Sequence, residues 1–79
     1  LNIEIRLFAN LAQFLPPGAK NKRAKITVKD GISIAELLDE LNIPKNTTSV
    51  IMVNGVHQKT DVVLNEGDVL SVIPPVTGG

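Results

Sequence analysis

An α+β fold, with one main helix packed on one face of a mixed sheet, is what this sequence predicts, and three observations carry the prediction. Polar–apolar alternation marks a strand near each end of the chain, at Asn2 to Leu7 and at Val69 to Ile73. A single strong helix start lies between them at Ser33. Short apolar runs bounded by turn residues fill the remainder, so one helix has one sheet to cover.

Asn2-Ile3-Glu4-Ile5-Arg6-Leu7 has the two-residue period of a half-buried strand, with Ile3, Ile5 and Leu7 inward. Asn10 to Leu15 carries Leu11, Phe14 and Leu15 at helical spacing and is ended by Pro16-Pro17-Gly18. The basic run Lys20-Asn21-Lys22-Arg23-Ala24-Lys25 has no aromatic residues among its cations and reads as a solvated loop, with a partner's acidic patch as the functional alternative. Lys25 to Lys29 is the expected second strand, Ile26 and Val28 inward, paired with the first as a long-looped hairpin.

Ser33-Ile34-Ala35-Glu36 is a capping box. The Ser33 hydroxyl can accept from the Glu36 amide while the Glu36 carboxylate reaches back to the Ser33 amide. Ile32 and Leu37 stand at the staple positions, Ile34, Leu37, Leu38 and Leu41 form one stripe, and Asn42 and Pro44 supply stop signals. Val50 to Val53 is a strand, Asn54-Gly55 a tight hairpin turn, and Val56-His57-Gln58 the strand leaving it. Asn65-Glu66-Gly67-Asp68 is a further turn before the last strand. With a strand at each end and the helix between, the first and last strands can lie parallel in the sheet centre. That is the layout of the ubiquitin-like β-grasp.

Seventy-nine residues, 43% of them apolar, suffice for one small core and leave no room for a second domain. Eight basic and eight acidic side chains cancel, which speaks against nucleic acid or a membrane surface as the partner. No apolar run approaches a membrane span and Leu1 to Ala9 does not resemble a signal peptide, so a cytoplasmic location is expected. Leu1 in first place is read as following an initiator methionine that was removed or not included. The absence of cysteine removes disulfides, thiolate metal sites and cysteine nucleophiles together.

The expected working part is the end, Pro74-Pro75-Val76-Thr77-Gly78-Gly79. Residues 1–73 are read as the domain and 74–79 as a projecting tail. The two prolines favour a polyproline II stalk, and glycine, without a Cβ, can thread a narrow channel. A free α-carboxyl has a pKa of ~3.3–3.7, so at neutral pH it is ionised and can attack the α-phosphate of ATP to give an acyl adenylate. A sulfur nucleophile then yields a thiocarboxylate, or an amine an amide.

Other chemistry is sparse. His57 has no cysteine, serine or second histidine nearby to complete a triad or metal site and reads as an exposed strand residue. Asp61, Glu66 and Asp68 lack the spacing of a calcium loop and read as turn formers. No glycine-rich phosphate loop follows a strand, and no metal site is expected. Strand parity places Phe8, Val69 and Ile73 opposite the inward set, so Phe8 and Ile73 could form an apolar patch at the root of the tail where a partner docks. The alternative is that Phe8 curls into the core as its strand ends.

The tail, the Val53-Asn54-Gly55 and Glu66-Gly67-Asp68 turns and Phe8-Ala9 together resemble the MoaD/ThiS family of ubiquitin-like sulfur carriers over nearly the whole chain. The Pro-Pro-Val-Thr-Gly-Gly ending is most similar to small subunits of molybdopterin synthase; thiamine-pathway carriers usually lack the proline pair. The resemblance implies that a ubiquitin-activating-type (MoeB/ThiF-like) enzyme adenylates Gly79 with ATP and magnesium, and that a sulfur donor protein supplies the thiocarboxylate sulfur. The tail, with Gly78 as spacer, then enters the MoaE-like large subunit of molybdopterin synthase, delivering sulfur for the molybdenum or tungsten cofactor. It also implies that this chain binds no cofactor and has no catalytic residues of its own. Phe8 and Ile73 match family partner-contact positions, and His57 a third where a more apolar residue is usual. The Pro16-Pro17-Gly18 loop with its basic run departs from shorter members. Sulfur carriage to thiamine or cysteine, and conjugation to lysines as a protein modifier, are the competing functions.

Overall fold

The computed structural model describes residues 1–44 and 50–75. Five strands form one sheet: β1 Asn2–Leu7, β2 Arg23–Thr27, β3 Val50–Val53, β4 Val56–His57 and β5 Val69–Ile73, in the order β2-β1-β5-β3-β4. β1 and β5 run parallel at its centre and the remaining pairs are antiparallel, so the sheet is mixed as expected. Among the described residues a single α-helix, α1 Ile34–Glu40, covers one face.

Alternation builds the core. Ile3, Ile5 and Leu7 of β1, Ile51 and Val53 of β3, and Leu70 and Val72 of β5 all point to the helix side and are buried there with Ile34, Leu37 and Leu38. Helix α1 starts where the capping box places it: the Glu36 amide donates to Ser33 Oγ and the Ser33 amide to Glu36 Oε1, each at 3.1 Å. It ends at Leu41, followed by Asn42 in the left-handed region (φ 62°). Beneath its first turn, residues 62–64 pair with residues 32–34 and bury Leu64.

One element matches its expectation and one needs correction. The short helix expected after β1 forms as a 3-10 helix, Ala9–Phe14, with the Leu15 amide bonded to the carbonyl of Ala12. Pro16 and Pro17 have no amide hydrogen to carry an α-helical ladder onward. The second strand spans Arg23–Thr27, not Lys25 to Lys29, because the basic run turns tightly at Asn21-Lys22 and puts Arg23 at once beside Arg6. The run is exposed, but its backbone is a turn and a strand, not a loose loop. Among the described residues no helix is long and apolar enough to cross a membrane.

Candidate functional site

The site takes its shape from β5. This strand lies between β1 and β3 in the middle of the sheet and ends at Ile73, directly before Pro74 and Pro75. Whatever follows Pro75 is therefore attached to a central strand that is paired on both sides. The expected tail residues Val76, Thr77, Gly78 and Gly79 lie outside the described residues.

The sheet face opposite α1 has no covering element among the described residues. Ile73 lies on it, paired with Val50 of β3. Phe8 lies on it too. Its backbone is extended (φ −100°, ψ 157°), so it continues the alternation of β1 and takes the side opposite the fully buried Leu7. Its amide donates to the carbonyl of Val72 at 3.2 Å, which carries the parallel β1/β5 register one step beyond the Leu7–Val72 pair and sets Phe8 next to Ile73. Phe8 is 38% exposed, whereas Ile73 is half-buried. Phe8 is thus outside the core and beside Ile73 on the open face, where parity places both.

His57 pairs with Met52 across the β3/β4 hairpin, and Met52 pairs with Ser71. His57 is exposed on the same open face, on the far side of β3 and level with Ser71, while Ile73 lies between Phe8 and Val50. Sequence reasoning missed Val50 and Met52, the half-buried apolar residues of β3 on this face. The signal was available: with Ile51 and Val53 inward, Val50 and Met52 must point outward.

The hairpin is fixed by the two-residue turn Asn54-Gly55, with φ of 53° and 82°, both in the left-handed region that such a turn requires. Asn54 Nδ2 donates to Asp68 Oδ1 at 2.9 Å and Asn54 Oδ1 accepts from the Val69 amide at 2.9 Å. Asp68 Oδ2 accepts from the Asn65 amide at 2.8 Å, and Glu66 Oε1 from the Asn2 amide at 2.9 Å. Asp68 thus closes its own turn, as expected, whereas Glu66 reaches out of the turn to the start of β1. No group of three or more histidine, cysteine or acidic side chains among the described residues could hold a metal ion. What this face offers is an apolar contact surface beside the end of β5, where the chain passes into Pro74 and Pro75.

The sequence matches the ThiS family over residues 5–79. No curated protein matches it. Among solved structures it is similar to SAMP1, small archaeal modifier protein 1, of Haloferax volcanii, at 22% identity and a TM-score of 0.72 with 99% of each chain covered. A Pyrococcus furiosus protein assigned as molybdopterin converting factor subunit 1 gives 23% and 0.73, covering 96% of this chain and 99% of that one. The complex of subunits 1 and 2 of the molybdopterin-converting factor of Helicobacter pylori contains a chain that gives 25% and 0.61, with all of both chains covered. The first two bear on the fold alone, and that fold is the expected ubiquitin-like β-grasp.

Proposed function

The chain belongs to the ThiS family, within the MoaD/ThiS group of ubiquitin-like proteins, and from that membership we propose that it is a sulfur carrier working through the α-carboxyl of Gly79. The observation that supports this reading most is that the family match runs to Gly79 on a fold whose central strand leads directly into the residues before it. Gly79 is the acceptor, Gly78 the spacer, and Pro74, Pro75, Val76 and Thr77 the link to β5.

The chemistry needs no catalytic side chain from this chain. In an adenylating enzyme of the ubiquitin-activating type, a carboxylate oxygen of Gly79 attacks the α-phosphorus of magnesium-bound ATP and pyrophosphate leaves. A donor protein's persulfide then attacks the acyl carbon through its outer sulfur, the anhydride carbon–oxygen bond breaks and AMP departs, leaving Gly79 joined to the donor as an acyl disulfide. A thiol on a partner protein then attacks the donor-side sulfur, the sulfur–sulfur bond breaks as a disulfide forms with the donor, and the thiocarboxylate left on Gly79 is the cargo. Phe8, Ile73 and Val50, with Met52 and His57 beside them, dock the partner while the tail reaches its buried site.

The pathway we propose for the sulfur is molybdopterin synthesis, in which it becomes dithiolene sulfur, with a MoaE-like large subunit as the final partner. Two observations favour it: the Pro-Pro-Val-Thr-Gly-Gly ending, and the likeness to a chain of the Helicobacter pylori complex. The test is the intact mass of the protein after incubation with soluble host extract, ATP and a sulfur source. Replacement of one oxygen by sulfur, lost on deletion of Gly79, is the expected result. Lysine-linked adducts without that replacement would overturn the carrier reading in favour of a modifier.

A further inference from the structure

Beside the apolar patch, the β1/β2 half of the open face has an arrangement that folding alone does not favour. Arg6 and Arg23 stand directly opposite each other in the antiparallel pair, on the same face as Phe8. Like charges in that position destabilise a sheet. Lys25 is opposite Glu4, the one carboxylate in the group, and Glu4 Oε2 already accepts from Arg6 Nε at 2.6 Å. The hydrogen bond from Arg6, helped by the charges of Arg6, Arg23 and Lys25, holds the Glu4 carboxyl below its ordinary pKa, so it stays ionised and still leaves cations in excess.

The neighbouring turn adds to that excess. Lys20 and Arg23 exchange backbone hydrogen bonds at 3.0 Å in both directions, and the two residues between them, Asn21 (φ 54°) and Lys22 (φ 62°), are both left-handed. A lysine in that region is strained, where a glycine would not be. The strain and the Arg6–Arg23 repulsion both spend stability on holding cations in fixed places, around a shallow depression of about 320 Å³ lined by Glu4, Lys20, Arg23 and Lys25.

We propose that this strip, Arg6, Arg23 and Lys25 with the Lys20–Lys22 turn, docks an acidic surface of a protein partner whose carboxylates flank the apolar contact at Phe8 and Ile73. The inference rests on the reading of the open face as the docking surface, but not on the chemistry at Gly79. A protein fits better than a nucleic acid. The chain has no net charge, the strip contains no aromatic residue for bases to stack on, Glu4 would repel phosphates, and the adjoining surface is apolar. Charge complementarity of this kind raises the rate of encounter and fixes the register of docking.

The test uses the full chain, labelled for amide NMR, and a short synthetic peptide with a Phe-Leu pair flanked by glutamates. Saturable shifts at Arg6, Arg23 and Lys25 that weaken as salt is raised are expected. The same peptide with lysines for glutamates should leave them unmoved. A variant carrying Lys22→Gly and Arg23→Glu relieves the strain and puts a carboxylate opposite Arg6. Its thermal midpoint should be no lower than that of the parent, with affinity for the glutamate peptide reduced roughly tenfold or more. Unchanged affinity in that variant, no saturable shift in the parent, or equal shifts with oligothymidylate would overturn the proposal. Because Gly79 takes no part, the thiocarboxylate measurement fails or succeeds separately.

Discussion

The backbone amide of Phe8 donates to the carbonyl of Val72 at 3.2 Å, one residue beyond the last pair of the parallel β1/β5 ladder. The bond and the extended backbone of Phe8 (φ −100°, ψ 157°) together continue the alternation of β1, which puts Phe8 on the side opposite Leu7. Leu7 is sealed inside and Phe8 stands on the open face beside Ile73, where β5 ends.

Replacing Phe8 by glutamate should therefore separate folding from docking. At 38% exposure Phe8 contributes little to the core, and the change should shift stability by no more than about 0.5 kcal/mol, as for a surface site. Partner-dependent thiocarboxylate formation should fall by tenfold or more, roughly the effect of placing a charge in a desolvated contact. Thermal unfolding and the rate of mass gain in host extract check the two halves. An unfolded variant would mean that the ring belongs to the core after all.

Asn54 and Asp68 tie the β3/β4 hairpin to the start of β5. Asn54 is used through both side-chain atoms and through its backbone amide, which donates to the Val69 carbonyl at 2.9 Å. Asn54→Gly keeps a residue that tolerates positive φ but removes both side-chain bonds, and should cost about 1–2 kcal/mol in urea unfolding. Asn54→Ala should cost more, because alanine is also strained at φ 53°. Equal losses for the two variants would show that the bonds, and not the turn conformation, account for the whole effect.

Much of this architecture was legible because local signals and the global fold agree. The capping box at Ser33, the Asn54-Gly55 turn and the alternation in β1 and β5 each have one structural solution, and the structure adopts it. The spacing of Leu11 and Phe14 marked the short helix after β1 but not its 3-10 type, since spacing does not report how the proline pair starves the next turn of donors. The start of β2 was missed because an Asn-Lys pair gives no sign that it will turn with both residues left-handed. The Arg6–Arg23 pairing depends on that turn, so it too was hidden. Phe8 and Ile73 followed from parity, whereas Val50 and Met52 needed the same rule applied once more to β3.

The capping box should also be visible in the pH dependence of stability. The Glu36 carboxyl lies below its ordinary value of 4.5, first because it accepts from the Ser33 amide and then because Lys29 Nζ sits 3.1 Å away. A carboxyl depressed by folding stabilises the native state above its unfolded pKa, and that contribution is lost as pH falls through the folded value. Wild type should therefore lose its advantage over Glu36→Gln as acid is added below about pH 4.5. Ser33→Ala should cost about 1 kcal/mol near neutral pH, as expected for a lost N-cap. Thermal midpoints measured from neutral to acid pH test both, and an acid limb identical in wild type and Glu36→Gln would remove the role given to the charge.

The chain end gives the sharpest separation of chemistry from stability. Among the described residues the buried core runs from Ile3 to Val72, and β5 ends at Ile73. A chain extended by one alanine beyond Gly79 should accordingly unfold at the same temperature as the parent. The extension moves the α-carboxyl by up to about 3.5 Å and puts a Cβ beside the reacting carbon. A reaction that depends on in-line attack cannot absorb a displacement of that size, where even about 1 Å of misplacement can cost a hundredfold. Adenylation, and with it the oxygen-to-sulfur mass gain, should disappear from the extended chain while its unfolding curve overlays that of the parent. If sulfur were installed on the extended chain with the alanine still present, the acceptor would not be the carboxyl of Gly79, and the diglycine would have to act as a spacer for chemistry placed elsewhere.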